Sequence, residues 1–186
     1  MKNNMKLIQK FLMIVMVMLA WSSITISAKG DKVDDNHLSC DGPYVIYLPD
    51  GGVRVVSVTV AGEVKDTTYA SLPDNFTLHV TDHEGNYPFD VRLHPVVRQE
   101  WKQSKAKKTF VMSDPHGRLN LVISLLQANG VIDSQLRWSY GDNQLVVIGD
   151  IFDRGYDVPQ IFWLFYKLEA EAAECGGRVS VMLGNH

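Results

Sequence analysis

Three short clusters hold the residues best suited to chemistry: Ser-Asp-Pro-His-Gly at 113–117, Gly-Asp-Ile-Phe-Asp-Arg-Gly at 149–155 and Gly-Asn-His at 184–186. Asp114 and His116 flank Pro115, whose fixed φ stiffens a short turn, so both side chains can aim at one centre. Asp150 has two carboxylate oxygens and could bridge two cations, while Asn185 offers an amide oxygen. Oxygen and imidazole donors suit manganese, iron, zinc or magnesium, and the lack of a cysteine cluster argues against a structural thiolate zinc site. Asp114, Asp150 and Asp153 crowded into one crevice would repel one another, and divalent cations turn that repulsion into coordination. Each cluster alone also fits a plain structural part. Asp-x-His can be a turn with a surface histidine, Asp-Arg-Gly a helix-capping ion pair, and Gly-Asn-His a glycine turn.

The elements that must position these clusters give them a common address. Residues 109–113 read as a short apolar strand, and Leu119, Val122, Ile123 and Leu126 then recur at helical spacing until Asn129-Gly130. Residues 131–144 are less regular and lead into a strand at 145–148. Asp157 can cap the next helix, with Pro159 in its first turn, Ile161, Leu164, Phe165 and Leu168 on its buried face, and Gly176-Gly177 at its end. Residues 178–183 form a third strand. Strand, helix, strand, helix, strand predicts a parallel sheet with right-handed crossovers. All three clusters then fall at the carboxyl ends of its strands, where open α/β sheets bind ligands.

Upstream the period is that of β structure. Runs at 44–48 and 53–60 flank Pro49-Asp50-Gly51-Gly52 and predict one hairpin. Phe76, Leu78 and Val80, then Tyr87, Phe89, Val91 and Leu93, alternate with polar residues around a loop at 82–86 and predict a second. Residues 41–97 therefore read as a small antiparallel β region, and 98–108 as a basic, solvated linker.

The chain has 186 residues, 46% hydrophobic and 21% charged, ordinary for a globular protein. Lys2, Lys6 and Lys10 precede an apolar run at 11–21, and small and polar residues follow to Ala28. That pattern reads as a signal peptide over 1–28 cleaved near Ala28, because the run falls short of the ~20 residues that span a bilayer. Export to the periplasm or beyond the cell follows, with no stable membrane span after cleavage. Residues 29–40 read as a flexible start. Without the leader, 15 basic residues face 21 acidic ones, a formal charge of −6, which argues against general nucleic-acid binding. Cys40 and Cys175 make no disulfide framework and read as free thiols, with a bridge between them left open. His37, His79, His83 and His94 read as non-ligands, and Trp101, Trp138 and Trp163 as packing residues.

The three clusters together resemble the calcineurin-like metallophosphoesterase superfamily, whose pattern is D-x-H, G-D-x-x-D-R-G and G-N-H. Asp114 to His116, Gly149 to Gly155 and Gly184 to His186 match every fixed position. The Asp-Arg-Gly ending looks most like the phosphoprotein phosphatase branch. The exported context, Trp138 and GDNQLVVIGD are similar to the bacterial Shewanella-like phosphatases. The resemblance covers about 109–186.

It implies an α/β fold, α+β overall: the N-terminal half of a metallophosphoesterase β-sandwich with flanking helices, preceded by the antiparallel β region. It also implies two divalent cations, with Asp114 and His116 on the first, Asp150 bridging and Asn185 on the second. His186 would stand beside the phosphate as proton donor or charge stabiliser, oriented by Asp153. Arg154 would grip phosphate oxygens with its planar fork, and Arg118 is a weaker candidate for the same task. The activity implied is hydrolysis of phosphomonoesters, phosphoproteins among them, by water activated between two metals. A dinucleoside polyphosphatase or another phosphoanhydride or phosphodiester hydrolase is the alternative enzyme, and a non-catalytic truncated binding module the alternative of another class. The sequence stops at His186, where relatives continue with further ligands. The expectation is therefore a fragment of a longer protein, inactive by itself.

Overall fold

The computed structural model describes residues 40–100 and 102–186. The leader expected over 1–28, the rest of the polar start up to residue 39, and Trp101 lie outside the described residues. The first sheet comprises β1 (Asp41–Tyr47), β2 (Val53–Val58) and β3 (Val64–Tyr69), antiparallel and in that order. β4 (Thr77–Val80) and β5 (Phe89–Arg92) pair separately as a two-stranded ribbon. The third sheet is parallel: β6 (Thr109–Met112), β7 (Gln144–Ile148) and β8 (Arg178–Met182) lie in that order. The crossovers are α1 (Leu119–Ala128) and α2 (Val158–Glu174).

The β1–β2 turn closes as its residues dictate. The Gly51 N–H donates to the Leu48 carbonyl at 3.0 Å, and the Asp50 carboxylate accepts from the Gly52 N–H at 3.0 Å. β3 corrects the two-hairpin reading. Lys65, Asp66, Thr67 and Thr68 are all exposed, so this edge strand shows no apolar alternation. It is held by a tight return, in which the Gly62 N–H donates to the Thr59 carbonyl at 2.9 Å, and by Arg54 Nε on the Asp66 carboxylate at 2.8 Å.

A β6-β7-β8 order with right-handed crossovers places both helices on one face of the sheet. Met112, Leu145, Val147 and Val179 are buried, whereas Val111, Ile148 and Met182 on the opposite face are exposed. α1 presents Leu119, Val122, Ile123 and Leu126 to the interior, and α2 presents Ile161, Leu164, Phe165 and Leu168. Each fully buried leucine or phenylalanine contributes roughly 1.5–3 kcal/mol. Leu78, Val80, Phe89 and Val91 of the β4–β5 ribbon belong to the same core. The basic segment after β5 is anchored rather than free. The Gln99 amide donates to the Val179 carbonyl at 2.6 Å and to Glu169 at 3.0 Å, and Lys107 pairs with Asp142 at 2.8 Å.

Trp138 is buried with its indole N–H on the Gly141 carbonyl, and half-buried Trp163 donates to the Pro43 carbonyl. Cys40 is buried, Cys175 is exposed, and both are free thiols. Burial first, then the charges of Asp157, Asp41 and Asp82, pushes the Cys40 thiol above its ordinary pKa and keeps it protonated. Among the described residues no helix is long and apolar enough to cross a membrane.

Candidate active site

Each parallel strand ends in a loop, and the first two loops are tied to one another. The Asp114 N–H donates to the Gly149 carbonyl at 3.2 Å, the His116 N–H to Asp150 at 3.0 Å and the Gly117 N–H to Ile151 at 3.0 Å. Such proximity requires absent side chains. A Cβ on Gly155 would stand 2.5 Å from the His116 carbonyl oxygen, and one on Gly149 would stand 2.6 Å from the Gly184 Cα. A Cβ on Gly184 would run into the Asp150 carboxylate. The motif glycines are therefore spacers between loops as much as turn formers.

The backbone at this end is also strained. Six non-glycine residues among those described adopt positive φ, and five of them are Asp114, His116, Asp150, Asp153 and Arg154. Left-handed backbone costs such residues about 1–2 kcal/mol each, and here the interloop hydrogen bonds hold them in place.

The ligand atoms of Asp114, His116 and Asp150 all lie within 4.8 Å of one another. His116 is buried, and its Nδ1 is 2.9 Å from the Phe152 carbonyl oxygen. A carbonyl can only accept, so Nδ1 carries the proton and Nε2 keeps its lone pair for a cation. Two carboxylates and a neutral imidazole fit a divalent metal of the manganese, iron, zinc or magnesium kind. Asn185 lies on the chain between Gly184, packed against Asp150, and His186, whose N–H donates to Asp150 Oδ1 at 3.3 Å.

His186 Nδ1 stands 3.6 Å from Asp153 Oδ2, and its ring meets the His116 ring edge-on at 5.4 Å. Asp153 Oδ1 also accepts the Arg154 N–H at 2.8 Å. Arg154 and Arg118 line one cavity of about 310 Å³ together with Asp114 and His116. The structure thus gathers all of the sequence-predicted site residues at one end of the parallel sheet.

One connection escaped sequence reasoning. Asp157 stands at the N-cap of α2, but its carboxylate makes no capping bond. It is buried and accepts instead from the His83 backbone N–H at 2.8 Å and faces His83 Nδ1 at 3.0 Å. Its own N–H donates to the Gly117 carbonyl at 2.9 Å. The loop between β4 and β5 is thereby fastened to the site, and no local sequence signal at His83 announces it.

A parallel sheet that gathers Asp-x-His, Gly-Asp-x-x-Asp-Arg-Gly and Gly-Asn-His at one end is the arrangement of calcineurin-like phosphoesterases, and known proteins similar to this chain are consistent with that class. Over 82 residues, 44% of this chain and 21% of the other, it is 35% identical to Shewanella-like protein phosphatase 2 of Arabidopsis thaliana. Over 80 residues, 42% of this chain and 22% of the other, it is 36% identical to Shewanella-like protein phosphatase 1 of Plasmodium berghei, strain Anka. Its fold matches the crystal structure of a cold-active protein-tyrosine phosphatase from a psychrophilic Shewanella at TM-score 0.65 and 31% identity, covering 79% of this chain and 43% of that one. No family model matches. The chain's homologues and structural neighbours are protein phosphatases, and the resemblance read from the three motifs stands. The chain spans about a fifth of the curated relatives' length and under half of the solved one's. A 79% structural match exceeds what 109–186 alone could supply, so the shared fold takes in strands of the antiparallel region as well.

Proposed function

We propose that this chain carries the metal-binding half of a phosphatase that hydrolyses phosphomonoesters, with two divalent cations as cofactors and phosphorylated proteins among its substrates. The carrying observation is the convergence of Asp114, His116 and Asp150, from two strand ends, within 4.8 Å. Asp114 and His116 hold one cation, Asp150 reaches both, and Asn185 serves the second. Bound divalent cations supply positive charge that lowers the pKa of a coordinated water towards ~7 and offsets charge developing on phosphate.

The chain's own side chains do the rest. Arg154 orients the phosphate oxygens with its guanidinium fork, and Arg118 adds charge from the same cavity. His186 stands as proton donor beside the leaving oxygen, with Asp153, 3.6 Å away, orienting its ring. Interloop hydrogen bonds hold the loops of Asp114, His116 and Asp150 together before substrate arrives, and such positioning is where phosphoryl transfer gains most of its rate. The names of the relatives support a phosphorylated protein as substrate, and the lysine-flanked apolar run at 11–21 supports export.

Manganese titrated calorimetrically into the chain should bind, and Asp150→Asn should weaken that binding by at least about 100-fold, the upper end of the loss typical of an outer-shell change. The protein at its full natural length should hydrolyse an aryl phosphomonoester, lose that activity to a chelator and regain it with manganese. A chain that takes up no manganese, zinc or iron would overturn the reading.

A further inference from the structure

The loop that carries Asp153 and Arg154 also exposes two aromatic side chains, Phe152 and Tyr156, at 43% and 42%. They bracket Asp153 and the phosphate-gripping Arg154 in sequence. Phe152 works in two directions: its carbonyl accepts from His116 of the ligand cluster, while its ring lies 5.1 Å from that of Phe162 in α2. Beyond that ring lies a shallow groove of about 620 Å³ between α2 and β1, walled by Phe152, Tyr156, Phe162 and Trp163 on one side and Pro43 and Tyr44 on the other. The Trp163 indole N–H donates to the Pro43 carbonyl at 2.7 Å and stitches the two walls together. Tyr44 is 46% exposed, with its hydroxyl on the Asp41 carboxylate.

Phe152 therefore joins the groove, which its ring lines, to the ligand cluster, which its carbonyl touches. An extended peptide advances about 3.3–3.6 Å per residue, so a phosphorylated residue held at Arg154 delivers its immediate neighbours to the Phe152 end of the groove. Aromatic walls with few free polar groups select an apolar occupant. On the phosphatase reading above, we propose that this groove is a specificity subsite for phosphopeptides with an aromatic or large aliphatic residue next to the phosphorylated one. Residues of β1 thereby take part in substrate choice.

The test uses two phosphoserine peptides, one with phenylalanine and one with glycine on both sides of the phosphoserine, titrated into the manganese-loaded protein with tryptophan emission as readout. The phenylalanine peptide should bind on the order of tenfold more tightly than the glycine peptide. Its emission change should vanish in Trp163→Phe, and its advantage should collapse in Tyr44→Ala, a substitution at an exposed position. Equal affinity for the two peptides would overturn the inference, as would an advantage that survives Tyr44→Ala. Self-association of the wild type that Tyr44→Ala abolishes would also overturn it, by making the groove a contact between copies. The two proposals fail separately. Phosphate release without preference for phenylalanine sinks the subsite and keeps the phosphatase. Selective binding of the phenylalanine peptide with no phosphate release by the protein at its full natural length keeps the subsite and sinks the phosphatase.

Discussion

The described residues contain two three-stranded sheets that solve opposite problems. In the β1–β3 sheet each turn closes on itself, as when the Gly51 N–H donates to Leu48 and the Gly62 N–H to Thr59. In the β6–β8 sheet the loops bond to each other across whole crossover units, Asp114 to Gly149 and His116 to Asp150. Local closure makes a strand pair that tolerates change. Non-local closure makes a cluster of carboxylates and imidazole whose geometry depends on several distant segments at once. The strained dihedrals follow the same division, because five of the six left-handed non-glycine residues among those described belong to the second set of loops.

Glycine substitution breaks this comparison most sharply. Gly51 has φ +89° with nothing within 4 Å of a built Cβ, so Gly51→Ala should cost only about 1–2 kcal/mol and leave manganese binding intact. Gly155→Ala forces a methyl against the His116 carbonyl, so it should cost about 3 kcal/mol and lower manganese affinity on the order of 100-fold. Denaturant melts and calorimetric titrations on the two variants decide the matter; equal effects would erase the distinction. His83→Ala should follow at about 2 kcal/mol in urea unfolding, because buried Asp157 keeps only a backbone donor of its three contacts with His83. Arg54→Ala, on the self-closing sheet, should leave the melting temperature at pH 7 indistinguishable from wild type, since exposed ion pairs contribute little. The Arg54 hydrogen bond holds the Asp66 carboxyl below its usual range. Whatever the pair adds is therefore present above the unfolded carboxylate pKa and disappears as pH falls through the depressed value.

The parallel sheet and its charged loops were legible because both signals are local: apolar runs, helical spacing, and aspartate, arginine and glycine directly after each strand. β3 was not, because a strand whose Lys65, Asp66, Thr67 and Thr68 all face water carries no apolar alternation, and its pairing is a backbone ladder to β2 that side chains do not announce. The N-cap reading of Asp157 had the right position and the wrong partner. Nothing near Asp157 in sequence shows that the β4–β5 loop supplies a competing donor. The glycines were legible as turns, but their closeness to the next loop exists only once both crossovers are folded.

The β4–β5 ribbon has two strands, too few to keep one side dry unaided. Leu78, Val80, Phe89 and Val91 find most of their shelter among residues of the helical half, with Val45 and Val55 of the first sheet at the margin. Recombination cannot trade the upstream strands as a cassette: grafted onto another protein they would arrive with a greasy underside bare. Inheritance has to move both halves together.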